Sequence, residues 1–375
     1  MTALANKRPT ISPLLLSIGV VFLLLCVPAR PSSRKPSENL TPVGQEEGQR
    51  SADVTPVAGH LSEPSRVANI SGPVWMDGRS PTWAYGYVAR LTLGDFPAGL
   101  EIYGRDGKLV SEARVSIPGA MQAWLVAAIP TKSGGAIASG TFESEDETSD
   151  FVAETSVSGG VVSVIHTENY LAARMCQAGD GTVWTLGRDV SKESEHNGEY
   201  PLVRQYSFEK GLLHGYLARS LVNFQEEGSA GGGEGPGGTF LVCGKDRMVG
   251  FLNETNEYFE IDPAREKVAR WKLPRVPAPE GRVTGLAVTE SGRVYASLFE
   301  VPDATDVKTH GLFELQAEPG KAMARWALVE GTLNSQSRIE DAPKGSFFRL
   351  WGADGDELVI RRLFDADMSW VRVIP

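Results

Sequence analysis

A segment that recurs along the chain constrains the fold of this sequence more than any other feature. Residues 269–273 and 324–328 both read Ala-Arg-Trp-x-Leu and start 55 residues apart. Each closes a longer hairpin-like segment, YFEIDPAREKVARWKLP or LFELQAEPGKAMARWALVEG, and LEIYGRDGKLVSEARVSI is an earlier relative of both. Self-similarity at a period of roughly 50 residues is typical of a fold built from one repeated supersecondary unit.

Tight turn signals alternate with these segments. They are Ser133-Gly134, Asp180-Gly181, Lys245-Asp246, Ser291-Gly292 and Asp354-Gly355. Each lies between short runs rich in Val, Leu, Ala and aromatic residues, which is the pattern of a β-hairpin. If the second residues of these pairs are equivalent, the steps are 47, 65, 46 and 63 residues. Since no convincing amphipathic helix appears from residue 66 onward, the sequence predicts an all-β repeat with loops of variable length.

Two alternating hairpins per repeat make a four-stranded antiparallel unit, and such units arranged around an axis form a β-propeller. At a mean step of about 55 residues, residues 66–375 correspond to six blades. The last repeat supplies about three strands, so we expect Arg66 to Ile70 to add the missing strand and to join the two ends of the chain. Seven blades or a pair of β-sandwiches are the alternatives, but sandwiches do not explain the paired Ala-Arg-Trp segments.

Residues 285–296, GLAVTESGRVYA, resemble the inner hairpin of NHL-type and TolB-like six-bladed propellers and, less closely, that of the gluconolactonase-like propellers. The resemblance implies the propeller architecture. Thr289 and Ser297 stand where an Asp is common in such repeats, and no counterpart of the gluconolactonase-like metal ligands is found. The resemblance therefore does not extend to a lactonase activity, because a fold alone does not imply chemistry.

The sequence of the N-terminal region predicts that the protein is exported. Lys7 and Arg8 precede an apolar run from Leu14 to Val27, so residues 1–29 are predicted to be a signal peptide. If uncleaved, residues 11–29 would instead be an N-terminal membrane anchor. Residues 30–65 are rich in Pro, Ser and Glu and are predicted to be a disordered linker. The expected location is periplasmic or extracellular, with membrane tethering as the alternative.

The predicted topology separates two kinds of connection. Both tight hairpins of each blade fall on one rim of the ring, the tight-turn rim, and the remaining connections fall on the opposite rim, the long-loop rim. The predicted long connections are residues 143–150, 188–199, 223–238, 274–282, 300–311 and 330–345. Together they carry a net charge of −12, whereas the whole chain carries −10. An acidic rim favours basic partners or cations and disfavours nucleic acid.

No motif in the sequence identifies a catalytic or cofactor-binding residue. The acidic run at 143–150 offers oxygen ligands but lacks the spacing of a calcium loop, so a solvated loop is favoured. The glycine-rich stretch at 228–238 lacks the Gly-Lys-Ser/Thr of a phosphate-binding loop and is predicted to be a flexible connector. The histidines show no paired metal-ligand spacing and are interpreted as surface residues; they are His166, His196, His214 and His310. The sequence therefore does not identify a metal or a cofactor for this protein.

Cysteines and aromatic residues add structural expectations. Cys176 and Cys243 are either two small buried side chains or one disulfide in an oxidising compartment, and the sequence does not decide between these. Trp271 and Trp326 occupy equivalent outer-strand positions and are expected to pack between blades. Trp83, Tyr85 and Tyr87 alternate and are expected on one face of a strand.

These observations favour a non-enzymatic, exported, monomeric propeller that binds a protein, glycan or small ligand on its acidic long-loop rim. The alternative is a metal-dependent hydrolase or lyase with its site at the channel mouth. Contact with a membrane is expected only through residues 11–29, if these stay attached.

Overall fold

A computed structural model gives the structure of this protein. It describes residues 58–70, 81–92, 99–189, 191, 199–221, 239–253, 255–273, 282–300, 306–307, 309–317, 324–332, 337–338, 348–362 and 367–375. The predicted signal peptide at 1–29 and the predicted linker up to residue 57 lie outside these ranges. Within them, no helix combines the length and the apolar character that a membrane crossing requires.

Strands make up most of the described chain. In chain order they are β1 (His60–Leu61), β2 (Arg66–Asn69), β3 (Thr82–Ala84), β4 (Tyr87–Thr92), β5 (Gly99–Gly104), β6 (Leu109–Arg114), β7 (Gln122–Pro130), β8 (Ala136–Glu143), β9 (Thr148–Thr155), β10 (Val161–Glu168), β11 (Tyr170–Gln177), β12 (Val183–Asp189), β13 (Pro201–Ser207), β14 (Gly211–Ala218), β15 (Thr239–Cys243), β16 (Met248–Leu252), β17 (Glu257–Asp262), β18 (Lys267–Lys272), β19 (Arg282–Val288), β20 (Val294–Glu300), β21 (Asp306–Val307), β22 (Thr309–Ala317), β23 (Ala324–Thr332), β24 (Ser337–Arg338), β25 (Phe348–Asp354), β26 (Glu357–Arg362), β27 (Asp367–Val371) and β28 (Val373–Ile374). A short 3-10 helix spans Arg219–Leu221.

In the described chain these strands form six four-stranded antiparallel sheets, here called blades 1 to 6. From inner to outer strand the blades are β3-β4-β5-β6, β7-β8-β9-β10, β11-β12-β13-β14, β15-β16-β17-β18, β19-β20-β22-β23 and β25-β26-β27-β2. The inner strands of successive blades are neighbours, and β25 also lies beside β3, so the ring is closed. The predicted six-bladed propeller is confirmed, and the alternatives of seven blades or paired sandwiches are wrong.

The two ends of the described chain meet in blade 6, as predicted. Strand β2 is the outer strand of this blade and pairs with β27, with Arg66 opposite Trp370 and Asn69 opposite Asp367. The preceding residues continue the contact, because β1 pairs with β28. This pairing satisfies backbone groups that an open ring would leave at an exposed edge, and it ties blade 6 to the start of the propeller.

Five tight turns lie where the sequence predicts them, between the inner and second strands of blades 2 to 6. The corresponding turn of blade 1 was not predicted. It consists of Tyr85 and Gly86, which have φ angles of 52° and 87°. Two successive residues with positive φ reverse the chain in a two-residue hairpin. The expectation of one strand face for Trp83, Tyr85 and Tyr87 is therefore wrong, because Tyr85 is in the turn.

The hydrophobic core lies mainly between neighbouring blades. Trp271 on β18 and Trp326 on β23 belong to the same buried cluster, which spans blades 4 and 5. The ring of Trp326 lies 5.9 Å from that of Phe251 in blade 4. The predicted packing role of both tryptophans is confirmed. Each buried side chain of this size stabilises the fold by roughly 2–3 kcal/mol relative to exposure, so the blade interfaces hold the ring together.

Candidate functional site

A cavity of about 640 Å³ occupies the centre of the ring. All six inner strands contribute to its wall, and the lining continues to the tight turns at their ends, including Tyr85, Lys132, Lys245 and Glu290. The cavity therefore extends along the channel to the tight-turn rim. Its volume lies within the roughly 300–1,000 Å³ of typical small-molecule sites.

The inner strands are irregular at one common level. In four of them an extra residue interrupts the pairing with the second strand; these residues are Val126, Ala173, Thr284 and Trp351. Such β-bulges bend a strand and redirect its side chains, and they are frequent next to functional sites. The repeated bulges give the middle of the channel its shape.

Two serines link these bulges to the preceding blade. The Ser139 hydroxyl of blade 2 donates to the carbonyl oxygen of Ala172 in blade 3 at 2.6 Å. The Leu350 N–H of blade 6 donates to Ser297 Oγ of blade 5 at 3.2 Å. Ser297 thus has a structural role between blades.

Two arginines of the inner strands line the cavity. Arg174 Nε donates to the Thr239 carbonyl oxygen at 2.9 Å, and its Nη1 donates to the Ala173 carbonyl oxygen at 2.9 Å. Arg349 Nε donates to the Thr284 carbonyl oxygen at 3.3 Å. These bonds fix the orientation of each guanidinium group against the backbone of a neighbouring inner strand.

Polar residues surround the tight-turn end of the cavity. The Tyr85 hydroxyl donates to the Gln177 carbonyl oxygen at 2.5 Å, and Lys132 Nζ lies 5.3 Å from the centre of the Tyr85 ring. Burial, with the nearby Asp180 carboxylate, raises the pKa of Tyr85, so its hydroxyl keeps the proton that it donates. Asp354 at this end forms an ion pair with Arg105.

A disulfide crosses the cavity wall. Cys176 of β11 and Cys243 of β15 are bonded, with their Cα atoms 5.5 Å apart, and both line the cavity. The sequence left this pairing open, and the structure resolves it in favour of the bridge. It joins the inner strands of blades 3 and 4 beside the tight turns.

The described part of the long-loop rim is different in character. The acidic run at 143–150 was predicted as a long loop, but its first residue ends β8 and its last three begin β9, so the turn itself covers only residues 144–147. The Ser144 N–H donates a hydrogen bond to the Glu147 carbonyl oxygen at 2.9 Å, and this bond closes the turn. Glu145, Asp146 and Glu147 are exposed on it.

Apolar side chains are exposed beside this acidic hairpin. Met121 is 55% exposed and Trp124 is 45% exposed. The Met121 N–H donates to the Glu143 carbonyl oxygen at 2.8 Å, which places these residues at the same end of blade 2. Large exposed apolar side chains that are bordered by polar residues are a feature of interaction surfaces.

Asp150 is the buried member of the acidic run, with 6% exposure. It accepts a hydrogen bond from Thr141 Oγ1 at 2.6 Å. Burial raises the pKa of the Asp150 carboxyl group, although the Thr141 bond and the positive charge of Arg188 oppose this effect.

Most other residues of the predicted long connections cannot be compared with the structure. The ranges that lie outside the described residues include His196 and the glycine-rich stretch; they are 192–198, 222–238, 274–281, 301–305 and 339–347. His310, predicted in a loop, pairs with Phe299 within the blade 5 sheet, so that connection is shorter than predicted. His166 and His214 lie on outer strands β10 and β14.

Within the described residues, no group of three or more His, Cys, Asp or Glu side chains has the proximity to hold a metal ion. The alternative function, a metal-dependent hydrolase or lyase, stays a prediction, and no residues are assigned to its site.

Sequence reasoning missed the cavity residues Arg174 and Arg349. A signal was nevertheless present, because each is a charged residue in an apolar run that immediately precedes a tight turn. On an inner strand, such a residue is expected to face either a partner group or the channel.

Comparisons with known proteins add the following. No protein-family model matches the chain, and no curated protein matches it. Among solved structures, a protein of unknown function from Bacteroides caccae is 12% identical to this chain. The match covers 68% of this chain and 84% of that protein's chain, with a TM-score of 0.36. A luciferin-regenerating enzyme is 12% identical over 79% of this chain and 91% of its own, with a TM-score of 0.43. The major Malassezia sympodialis allergen Mala s 1 is 9% identical over 78% of this chain and 92% of its own, with a TM-score of 0.42.

At these identities and scores the similarity carries no argument about activity or ligand. The fold assignment for this chain rests on its own strand order and ring closure. A propeller with these features is consistent with an interaction module.

Proposed function

We propose that this protein is an exported binding module that engages a basic partner through its long-loop rim. The observation that carries the proposal is the acidic hairpin at 144–147 beside the exposed side chains of Met121 and Trp124. Acidic groups steer a basic partner toward the surface, and an exposed tryptophan provides apolar area that a partner can bury.

The charge distribution supports this surface over others. The predicted long connections carry −12 in total, and the described hairpin belongs to the most acidic of them. The hairpin at 144–147 is closed by a backbone hydrogen bond between two paired strands, so its acidic groups are held in place, which lowers the ordering entropy lost on binding. The partner class that fits best is therefore a protein segment rich in Lys or Arg.

Two features support export. The predicted signal peptide at 1–29 directs the chain out of the cytoplasm. The disulfide between Cys176 and Cys243 is of a kind that forms and persists in oxidising compartments. Mass measurement of the protein recovered from the exported fraction tests cleavage. A mass that lacks the first 29 or so residues supports a free exported protein, and an intact mass supports the tethered form.

The rim itself is tested by charge reversal. The triple variant Glu145→Lys, Asp146→Lys and Glu147→Lys changes exposed residues only, so the fold is expected to persist. We expect it to bind a fluorescently labelled Lys-rich peptide at least about tenfold more weakly than the unmodified protein in an anisotropy titration at low salt.

The matched control places the same change in charge elsewhere. Glu112, Glu209 and Glu266 are exposed on β6 and on outer turns of the opposite rim. Reversing these three to Lys should alter peptide affinity far less. Equal losses in the two triple variants would show that only net charge matters, and the proposed surface would be wrong.

A further inference from the structure

The disulfide of the described chain has one side in the core and one side in the channel. Cys176 and Cys243 are both half-buried, and both pack against the hydrophobic cluster that blades 3 and 4 share. Both also line the channel cavity. They belong to the inner strands of these blades, so three further strands of each blade lie between them and the outside of the ring. A reagent therefore reaches the two sulfur atoms through the cavity.

Opening of this bridge does not interrupt either sheet. Cys176 is paired with Trp184 of β12, and Cys243 is paired with Met248 of β16. The backbone pairing within each blade is therefore independent of the disulfide. The buried cluster that the cysteines contact contains side chains of both blades, so it joins the blades without the covalent link. The structure thus allows the bridge to open and close within a folded ring.

Tyr85 reaches across the tight-turn end of the cavity to the neighbourhood of the bridge. It belongs to the turn of blade 1, whereas its hydroxyl donates to the carbonyl oxygen of Gln177 in blade 3 at 2.5 Å. Gln177 directly follows Cys176. Lys132 of the intervening blade 2 lies with Nζ 5.3 Å from the centre of the Tyr85 ring. The Tyr85 side chain therefore connects blade 1 to blade 3, and we call it the strap.

The backbone of the strap residue is an uncommon place for a tyrosine. Tyr85 has a φ of 52° and Gly86 a φ of 87°, and a two-residue hairpin with two positive φ angles favours Asn-Gly. A large side chain at positive φ carries strain, and such strain is concentrated at functional sites. The turn does not require a tyrosine, so the contacts of its side chain at the end of the cavity are the feature that the residue adds.

From these observations we propose that the Cys176–Cys243 disulfide is a site of thiol–disulfide exchange with small-molecule thiols that enter the channel, and that the Tyr85 strap limits their access. The thiolate of the small molecule attacks one cysteine sulfur, the bond between the cysteines breaks, and the other cysteine leaves as a thiolate. A second small thiolate then attacks the mixed disulfide and releases a small-molecule disulfide. Two small thiols are thereby oxidised, and the protein gains two electrons and two protons.

The position of the bridge selects thiols by size. The cavity has a volume of about 640 Å³. A folded thiol protein does not fit in this space, since a domain of about 100 residues has a radius of gyration of about 13 Å. The site lies at the other end of the channel from the acidic hairpin, and it does not depend on the binding of a basic partner.

The first test measures how reduction depends on the thiol. The full-length oxidised protein is treated with increasing concentrations of glutathione and quenched with an alkylating agent, and peptide mapping assigns the alkylated residues to Cys176 and Cys243. We expect the rate of opening to rise in proportion to the glutathione concentration while the far-UV circular dichroism stays native. A rate that does not change with thiol concentration would show that reduction waits for unfolding of the ring, and it would overturn the proposal.

The second test compares a small thiol with a protein thiol. Reduced thioredoxin replaces glutathione, and each rate is expressed relative to the reduction of insulin by the same reagent. We expect the relative rate with thioredoxin to be at least about tenfold lower than that with glutathione, because access to the attacked sulfur governs exchange. An equal or higher relative rate with thioredoxin would show that the bridge is open to proteins, and the assignment to small thiols would be wrong.

Variants of the strap then test its role. Tyr85→Asn removes the strap and leaves an Asn-Gly turn, so a folding defect is not expected. We expect its reaction with glutathione to be about tenfold faster, which corresponds to about 1.4 kcal/mol, the size expected of one hydrogen bond together with one cation–π contact. Tyr85→Phe keeps the ring and loses the donor, so its rate should rise less. In urea that unfolds the chain, all of these proteins should react alike.

The matched control is Glu266→Asn. Glu266 also has a positive φ, 53°, but it is exposed in the turn between β17 and β18 and does not line the cavity. This variant should react with glutathione within about twofold of the unmodified protein, because a local change in a distant turn leaves the channel unaltered. If Tyr85→Asn reacts no faster than Glu266→Asn, the strap does not control access and the proposal is wrong.

Discussion

The two ends of the channel differ in the charge of their described residues. At the tight-turn rim, short hairpins of two to five residues surround a cavity whose described lining includes four cationic and two acidic side chains. At the long-loop rim, the described hairpin of blade 2 is acidic and stands beside exposed Met121 and Trp124. Both ends are built by the same six sheets.

The difference follows from strand direction. In a four-stranded antiparallel blade, the first and third turns fall on one rim, whereas the second turn and the connection to the next blade fall on the other. Short turns leave the channel mouth open and bring inner-strand residues to the surface. Longer connections are free to change in length and charge without disturbing the sheets. One scaffold can thus carry two surfaces of opposite character.

The largest expected effect comes from breaking the closure on which both ends depend. Ala68 is buried on β2 at 7% exposure, and its neighbour Val67 is 55% exposed. Ala68→Glu places a carboxylate in the buried cluster between blades 6 and 1, and we expect it to lower the free energy of unfolding by about 3 kcal/mol or more. Urea denaturation measures this change.

Val67→Glu on the same strand is the matched control and should cost less than about 1 kcal/mol. The closure variant should also bind the Lys-rich peptide more weakly, since the long-loop rim does not persist in an open ring. A small and equal effect of the two substitutions would contradict the role assigned to β2.

The disulfide gives an intermediate effect that is confined to one end. Replacing Cys176 and Cys243 together with Ala removes a link across 67 residues and should lower the free energy of unfolding by about 2–4 kcal/mol. Because the bridge lies in the cavity wall, at the tight-turn end of the channel, affinity for the Lys-rich peptide should be retained.

Treatment of the unmodified protein with a thiol reductant should reproduce the result of the double variant, and the same treatment should leave the double variant unchanged. Loss of peptide binding on reduction would contradict the separation of the bridge from the acidic hairpin.

The smallest effect concerns Asp150 at the long-loop end. Burial raises the pKa of its carboxyl group in the folded protein above its unfolded value, so the folded state retains this proton to a higher pH. The stabilising contribution of Asp150 is therefore present in acid and is lost as the pH rises through the folded pKa. Asp150→Asn does not titrate, and its melting temperature relative to the unmodified protein should rise from pH 3 to pH 7.

Glu147→Gln, which removes an exposed charge from the same hairpin, controls for the change in net charge. A melting-temperature difference for Asp150→Asn that stays constant or falls with pH would show that burial does not govern this carboxyl group.

The fold was accessible from the sequence because its determinants are local and repeated. Turn residues such as Gly181 and Gly292 mark inner hairpins, and the Ala-Arg-Trp segments mark equivalent outer strands, so the blade number and the closing strand β2 followed from spacing. The Tyr85-Gly86 turn escaped prediction because an aromatic residue in the left-handed region is uncommon.

The candidate site was less accessible, since it depends on which side chains meet across the ring. Arg174 and Arg349 are 175 residues apart and share no motif, and only ring closure places them on opposing walls. The pairing of Cys176 with Cys243 is a similar case, because spacing alone does not give the distance between neighbouring inner strands. The short hairpin at 144–147 was mistaken for a long loop because its acidic residues continue into both strands.

A titration with the Lys-rich peptide tests the account of the acidic end most directly. The unmodified protein, the hairpin triple-lysine variant and the control variant in which Glu112, Glu209 and Glu266 are changed to Lys are each titrated at low salt, after urea denaturation has shown that all three are folded. The account predicts that only the hairpin variant loses affinity for the peptide, by at least about tenfold. A hairpin variant that binds the peptide as tightly as the unmodified protein, or equal losses in the two variants, would contradict it.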